Sequence, residues 1–239
     1  MLFSKKGLCQ NIKKDSIPNG FVLSFGGGGQ QPLGTLNNRF TFGGCLNFKG
    51  LYRTKTNVFI GIEAEQMFGH RVKDTLLLSA LRNDYGLLID NNGLPAAVII
   101  TGTGFNVSGT LGKLWGLNRS KNQGIIALNS LGFIQHKIKI NAQESNVPGL
   151  QTEYLKGYDY LSNGIINRLF LGYAYFGLDG RFNISAGLDY TCGFTKNRRD
   201  WNFDRFSKDE NLYIDQMLGF KVYISFTFYR ANPEGYHYY

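Results

Sequence analysis

The sequence contains few of the residues that interrupt or cross-link a chain. It has 5 prolines and 3 cysteines in 239 residues. Because proline removes a donor from a β-ladder, its scarcity favours long strands with few interruptions. Cys9, Cys45 and Cys192 form neither a CxxC pair nor a metal-binding spacing. We therefore expect buried free thiols, no metal and no cofactor.

Long apolar runs are missing as well. No stretch reaches the roughly 20 apolar residues that a transmembrane helix requires, and the mean hydropathy is slightly negative. A low average does not exclude a membrane protein built from strands, because alternating strands average an apolar and a polar face. No linker-like segment divides the chain, so we expect one domain over residues 20–230.

The two ends of the chain differ from this domain in composition. Residues 1–19 are expected to form a lead-in, in which Leu8-Cys9-Gln10 is typical of the cleavage end of an export signal, although a full apolar region is lacking. Residues 231–239 contain proline and tyrosine and are expected to form a tail.

Alternation of apolar and polar residues is the main pattern of the chain. Apolar residues occupy every second position of Phe182–Phe194, and the positions between them are Asn, Ser, Gly, Asp and Thr. Leu212–Phe228 alternates in the same way, with Asp215 and Lys221 on its polar face. A period of two places each set on its own face of a strand. Both segments are long enough to cross a bilayer.

The same alternation predicts eight strands. They are Gly20–Gly28, Asn38–Lys49, Thr56–Phe68, Phe105–Trp115, Gly124–Ile140, Ile166–Phe176, Phe182–Phe194 and Leu212–Phe228. The faces of Gly124–Ile140 are the least distinct of the eight.

The links between these strands alternate in length. Three are short (Gly50–Lys55, Gly116–Gln123, Gly177–Arg181) and three are long (Gly69–Gly104, Asn141–Gly164, Thr195–Asn211). Short periplasmic turns and long extracellular loops are typical of outer-membrane barrels. We therefore predict an all-β, eight-stranded antiparallel up-and-down transmembrane β-barrel with a side-chain-filled interior and periplasmic termini. A soluble lipocalin-like, lipid-binding barrel has the same strands and is the alternative.

Charged residues on the polar faces would then project into the barrel. A buried unpaired charge is costly, so these side chains are expected to form ion pairs across the interior. General acid–base chemistry at Glu63 and Glu65 is conceivable, but a structural role is favoured. The expected interior network consists of Arg39, Lys49, Glu63, Glu65, Arg168, Asp189, Asp215 and Lys221.

The net charge of +9 comes from scattered lysines and arginines. Such scatter argues against nucleic acid and fits an anionic lipid or lipopolysaccharide surface. The loop Thr195–Asn211 interleaves cations with aromatic residues, a composition enriched at protein interfaces. A solvated loop with its aromatics packed on the rim is equally compatible. The candidate partner-binding residues are Arg198, Arg199, Trp201, Phe203, Phe206, Tyr154, Tyr158 and Tyr160.

Three segments carry a resemblance to a known group of proteins: Tyr154–Gly164, Gly193–Asp204 and the aromatic closing strand Gly219–Tyr229. With them the chain resembles the small outer-membrane β-barrel proteins of the Bacteroidota type, also called porin-like or outer-membrane β-barrel-domain proteins. The resemblance implies insertion by the outer-membrane assembly machinery, with the last strand as its signal. It also implies, for some members, a place in larger complexes for protein secretion or barrel assembly.

The sequence leaves two classes of function open. The first is a non-enzymatic accessory or structural subunit that presents its long loops to another outer-membrane or surface protein. The second is an outer-membrane enzyme acting on lipid A. Such an enzyme would need a histidine at the rim, with a serine and an acid beside it. The chain has three histidines, of which His70 and His136 are expected at the rim and His237 lies in the tail. No catalytic spacing is present, so we expect solvated rim histidines and no catalytic residues.

Overall fold

The computed structural model describes residues 19–74, 77–117, 121–142, 147–151, 154–177 and 183–229. The expected tail, Cys9, His237 and nearly all of the expected lead-in lie outside these ranges. Eight strands and one short helix organise the described chain. They are β1 Gly20–Leu33, α1 Gly34–Asn37, β2 Gly43–Arg53, β3 Val58–Arg71, β4 Ile99–Gly116, β5 Gln123–Asn141, β6 Ser162–Phe176, β7 Asn183–Asn197 and β8 Leu212–Tyr229.

Short 3₁₀ turns lie in two of the long loops. They are Ser79–Leu81, Pro148–Leu150 and Tyr154–Gly157. No helix in the described ranges is long and apolar enough to cross a membrane.

The strands close into a ring in chain order. Each strand pairs antiparallel with the next, and β1 pairs with β8. At this closing seam Ser24 lies opposite Ser225, and their Oγ atoms are 2.7 Å apart. The prediction of an eight-stranded antiparallel barrel is confirmed.

The outer surface of the ring is apolar and the inner surface is largely polar. On β7, Leu188 points outward and is 57% exposed, whereas its neighbour Asp189 points inward and is 1% exposed. The same alternation runs along β8, where Phe220 is exposed and Lys221 is buried. A soluble barrel would place these two kinds of residue the other way round.

Most strands extend beyond their predicted bounds, and β2 differs in its start. Alternation predicts a strand from Asn38, but β2 begins at Gly43. The intervening residues follow α1, and an isolated bridge ties Phe40 to Val72 in the loop after β3. This segment therefore belongs to the rim of the barrel and not to its wall.

The barrel interior has three layers. An apolar cluster fills the end with the short turns: Val22, Leu51, Phe59, Leu114, Ile126, Leu128, Phe170, Ala174, Phe176 and Tyr223. A second cluster fills the end with the long loops and includes Leu36, Phe40, Met67, Ile134, Ile138 and Met217. Buried charged residues occupy the space between them. Strand β5 contributes inward isoleucines to both clusters, which is why its two faces are hard to tell apart in the sequence.

Glycine at the closing seam allows a stability test. A Cβ added to Gly28 would meet the Phe220 carbonyl oxygen and lie 3.0 Å from the Lys221 Cα, whereas one added to Gly109 would meet only the Leu131 carbonyl oxygen at 3.9 Å. Gly28→Ala is expected to lower the free energy of unfolding by about 1–3 kcal/mol through overpacking. Gly109→Ala is expected to be neutral or slightly stabilising. Urea unfolding of the two refolded variants measures the difference, and equal midpoints would contradict the seam packing.

Candidate functional site

Arg168 lies at the centre of the charged layer and is 1% exposed. Its Nη1 is 2.8 Å from Glu63 Oε1, its Nη2 is 2.6 Å from Glu65 Oε1 and its Nε is 3.4 Å from Asp189 Oδ1. One guanidinium thus faces three carboxylates from two other strands. The planar fork of arginine suits such multiple contacts better than the point charge of lysine.

Two lysines complete the charge balance. Lys221 forms ion pairs with Glu65 and, at 2.8 Å, with Asp189 Oδ1. Lys49 Nζ is 3.6 Å from Glu63 Oε1 and 3.7 Å from the centre of the Tyr223 ring, where the π-face adds a cation–π contact. Three cations therefore meet three carboxylates in the middle of the barrel, which offsets the cost of burying each charge.

Amide side chains fix the central carboxylate of this layer. Glu65 accepts hydrogen bonds from Gln30 Nε2 at 2.9 Å, Asn47 Nδ2 at 2.5 Å and Asn106 Nδ2 at 3.0 Å. Glu63 and Glu65 point inward together because they lie two residues apart on β3. Among the described residues no group of three or more His, Cys, Asp or Glu side chains is arranged to hold a metal ion. This layer has the geometry of a structural network.

Arg53 occupies the short-turn end below the charged layer and was missed in the sequence because alternation predicted a turn there. Its Nη2 donates to Asn57 Oδ1 at 2.6 Å and to Asn122 Oδ1 at 2.8 Å, and its guanidinium lies 4.5 Å from the centre of the Phe176 ring. The side chain ties two of the short turns together and closes this end of the barrel.

Two of the predicted network residues lie elsewhere. Asp215 is buried at the mouth of the barrel, which is the end with the long loops. Its Oδ2 is 2.8 Å from His136 Nε2 and accepts a hydrogen bond from Thr195 Oγ1 at 2.5 Å. Arg39 precedes β2 at the rim, and its Nη2 is 3.8 Å from Asp209 Oδ2. The expectation for Arg39 is wrong because the chain bends into α1 before β2 begins.

The predicted exposure of the rim histidines is wrong. His70 is 6% exposed and His136 is 9% exposed, and both rings pack edge-on against Phe40. The loops fold over the mouth and carry Phe40 into it, so residues at strand ends become buried. An apolar cavity of about 30 Å³ lies here, lined in part by Phe40, His70, His136, Met67 and Met217.

The cysteines differ in their surroundings. Cys45 is buried inside the barrel and donates from Sγ to the Gly28 carbonyl at 3.6 Å. Cys192 is a partly exposed free thiol on the outer face of β7, so the expectation of burial does not hold for it. The two therefore lie on opposite sides of the wall.

The long loops form a packed cap over the mouth. Tyr158 and Tyr160 belong to its core and are 6% and 5% exposed, which overturns their assignment as partner-binding residues. Phe203 packs edge-on against Tyr158 with ring centres 5.3 Å apart, and its backbone N–H donates to the Gly157 carbonyl at 3.1 Å. The sequence could not separate core from surface aromatics in these loops. The loops follow neither the two-residue period of a strand nor the 3.6-residue period of a helix.

Polar contacts tie the three loops to one another. Arg199 Nε donates to Asp159 Oδ1 at 2.7 Å, and this carboxylate raises the pKa of the guanidinium. The Leu78 backbone N–H donates to Asp204 Oδ1 at 2.9 Å. Burial raises the pKa of Asp204, and burial together with the Asp204 charge raises the pKa of Tyr160 to about 12. The contact with Asp159 makes Arg199 a structural residue of the cap.

Other aromatic and apolar side chains of the loops stay open to solvent. Tyr154, Trp201 and Phe206 are 53%, 49% and 71% exposed, and Arg198 is also exposed. A further exposed set lies in the loop after β3, where no cation–aromatic pattern marks these residues in the sequence. These residues are Tyr85, Leu87 and Leu94.

No protein-family model and no curated protein matches this chain. The fold is similar to the crystal structure of neisserial surface protein A, with 8% identity and a TM-score of 0.50 over 87% of this chain and 97% of that chain. Lower scores come from the N-terminal β-barrel domain of Pseudomonas aeruginosa OprF (11% identity, TM-score 0.39, 86% and 97% covered) and from Ail of Yersinia pestis (9%, 0.37, 87% and 97%). At these identities the likeness to the neisserial protein establishes the fold alone.

The charged layer predicts a strong effect of removing its central cation. Arg168→Met would leave Glu63, Glu65 and Asp189 short of one positive charge, and is expected to lower the free energy of unfolding by about 3–5 kcal/mol. Arg168→Lys retains the charge but not the fork, and should cost clearly less. Urea unfolding at neutral pH compares the two variants. Similar losses for both would show that charge balance is not what Arg168 supplies.

Proposed function

We propose that this chain is an integral β-barrel protein of the bacterial outer membrane, without enzymatic activity, that presents its capped loop end to a protein partner. The observation that carries the membrane placement is the inversion of the two faces. Leucine, isoleucine and phenylalanine cover the outside, and six charged groups are paired within the interior. Lipid is the solvent that such an exterior requires.

The same interior supports a barrel that does not conduct. Eight strands enclose a space that side chains can fill. Here the charged layer lies between two apolar clusters, and the loop cap covers one end. A structural role therefore fits this barrel better than transport of ions or solutes.

Loop lengths support the orientation of the barrel. The described residues between β2 and β3 are Thr54–Asn57, whereas the loop between β3 and β4 runs from residue 72 to 98. Outer-membrane barrels place short turns in the periplasm and long loops outside. We therefore assign the termini to the periplasm and the cap to the cell surface, in contact with lipopolysaccharide. The Bacteroidota type, and a role in secretion or barrel assembly, rest on the sequence resemblance.

The exposed aromatics of the cap support the proposed partner. Phe206 is 71% exposed and its backbone has φ of 49°, a left-handed conformation that bulky residues rarely adopt. Holding a large apolar side chain in this way costs free energy, and such outliers cluster at functional positions. Trp201 is an aromatic of the kind that dominates protein–protein hot spots. The packed core beneath them makes the cap a defined surface.

The enzymatic alternative has less support. A hydrolase would need a hydroxyl that donates to the His136 imidazole, with an acid on the other side of the ring. The Thr195 hydroxyl donates to Asp215 instead, at the same oxygen that His136 contacts. This arrangement holds the histidine in place without activating a nucleophile.

Arginine on the outer face tests the membrane placement. Leu188→Arg is expected to cost about 2–4 kcal/mol of folding free energy in lipid, since the side chain would enter the apolar band. Lys196→Arg, at the loop end of the same outer face, is the matched control and should be neutral. Folding into lipid vesicles across a urea series measures both variants. Equal stability of Leu188→Arg and the unchanged protein would sink the membrane placement.

Loop variants test the partner proposal. Trp201→Ala with Phe206→Ala removes exposed rings from the cap, and a partner that co-purifies from native membranes is expected to be lost while the barrel still inserts. Arg198→Ala is the control, because it removes an exposed charge from the same loop. Loss of the partner with Arg198→Ala alone would show that the contact depends on this charge and not on the exposed rings. Retention of every co-purifying protein in the aromatic variant would contradict docking through this loop.

A further inference from the structure

An open cavity of about 410 Å³ lies at the mouth of the barrel, beside α1. Three cations line it, and each comes from a different segment of the chain. Arg39 follows α1, Lys73 follows β3, and Arg205 lies in the loop between β7 and β8. The cavity is therefore a product of the folded loops, and no local pattern in the sequence marks it.

The two arginines of this cavity donate no hydrogen bond to any residue that the structure describes. Arg39 has a long ion pair, with its Nη2 3.8 Å from Asp209 Oδ2, although its side chain is only 16% exposed. Arg205 has no ion pair within the described chain. Arg199 in the same loop differs, since it donates to both carboxylate oxygens of Asp159. A guanidinium has five N–H donors, so the cavity wall holds a surplus of donors.

Nearby carboxylates do not balance this surplus. Asp209 accepts hydrogen bonds from the Tyr213 hydroxyl at 2.9 and 2.8 Å. The lining residues include two anions, Asp74 and Asp215, against the three cations. Asp215 is directed to His136, whose Nε2 is 2.8 Å from its Oδ2. The wall of the cavity thus keeps an excess of positive charge.

Tyrosine rings hold the two guanidiniums in place. Arg39 Cζ lies 4.5 Å from the centre of the Tyr213 ring and 5.7 Å from that of the Tyr160 ring. Arg205 Cζ lies 5.9 Å from the centre of the Tyr160 ring. A ring face restrains a guanidinium without accepting the hydrogen bonds of its N–H groups in the plane. Tyr160 has φ of 45°, and strained backbone of this kind clusters at ligand clamps.

Lys73 adds an ammonium whose direction is fixed. Its Nζ donates to the carbonyl oxygen and to Oδ1 of Asn37, the last residue of α1, and both distances are 3.0 Å. An ammonium group has three N–H donors. One donor of Lys73 therefore remains for a ligand in the cavity.

From this arrangement we propose that the cavity binds a phosphorylated sugar through its phosphate group. A phosphate monoester carries nearly two negative charges at neutral pH and three acceptor oxygens, which match two guanidiniums and an ammonium. Arginine binds phosphate through paired, charge-assisted hydrogen bonds. The volume lies in the range of pockets that hold a whole small molecule, so there is room for more than the phosphate. Thr35 and Asn38 also line the cavity and suit the hydroxyl groups of a sugar.

Calorimetric titration of the purified barrel in neutral detergent tests the site. The probes are glucose phosphate, glucose and inorganic phosphate, at about 0.15 M salt so that distant surface charges are screened. Glucose phosphate is expected to bind saturably, and each of the other two probes at least about tenfold more weakly. Equal affinity for glucose and glucose phosphate would contradict the phosphate contact, and equal affinity for inorganic phosphate would contradict the sugar contact.

Arginine variants show whether the binding occurs in this cavity. Arg205→Gln and Arg39→Gln should each weaken glucose phosphate binding by about tenfold or more, since each removes charged hydrogen bonds. Arg205 is exposed, so its variant should keep the urea midpoint of the unchanged protein even if Arg39→Gln lowers it. Arg71→Gln is the matched control, because Arg71 is an exposed cation at the end of β3 outside the cavity lining. An equal loss with Arg71→Gln, or no loss with Arg205→Gln, would overturn the site.

Competition identifies the source of the phosphate, which can be a free sugar phosphate or the phosphorylated sugar of lipopolysaccharide. Displacement of glucose phosphate by intact but not by dephosphorylated lipopolysaccharide would support the site and assign it to the lipid. No displacement by either form would support the site and assign it to a soluble ligand. Equal displacement by both forms would contradict recognition of phosphate. The Trp201→Ala, Phe206→Ala variant should bind glucose phosphate normally, so loss of the protein partner and loss of this site are distinguishable.

Discussion

The structure depends on charge neutrality inside a narrow, closed wall. Eight strands leave no room for bulk water to solvate six charged groups, so each must find a partner across the barrel. Arg168 meets this requirement by serving three carboxylates, and Lys49 and Lys221 supply the remaining positive charge. Because these groups come from five different strands, β2, β3 and β6–β8, the ring must be closed in one register before the charges can pair.

The apolar layers on either side of the charges have a different role. They exclude water from the ion pairs, and a lower local dielectric strengthens each contact while raising the cost of leaving one unmade. Arg53 and the short turns close one end, and the loop cap closes the other. Side chains therefore fill the interior of the barrel, and other molecules meet its outer wall and its closed ends.

Two of those surfaces differ in chemistry. The cap is built on a buried tyrosine core and carries exposed aromatics such as Trp201 and Phe206. The outer wall is apolar and exposes residues such as Leu188 and Phe220. In the proposed placement water surrounds the first surface and hydrocarbon the second, so apolar burial stabilises contacts at the cap far more than at the wall.

The sequence by itself determined the number of strands, the inward side of most of them and the sorting of loops by length, because a period of two is a local property of the chain. It also placed Lys49, Glu63, Glu65, Asp189 and Lys221 on inward faces for the same reason. The faces of β5 were not distinct in the sequence, since inward isoleucines make both of its faces apolar. Only the tertiary structure decided which charges meet, that Arg39 stays at the rim, and that His70, His136, Tyr158 and Tyr160 are buried. Those outcomes depend on three loops folding onto one another, and contacts between distant loop residues leave no periodic pattern in the sequence.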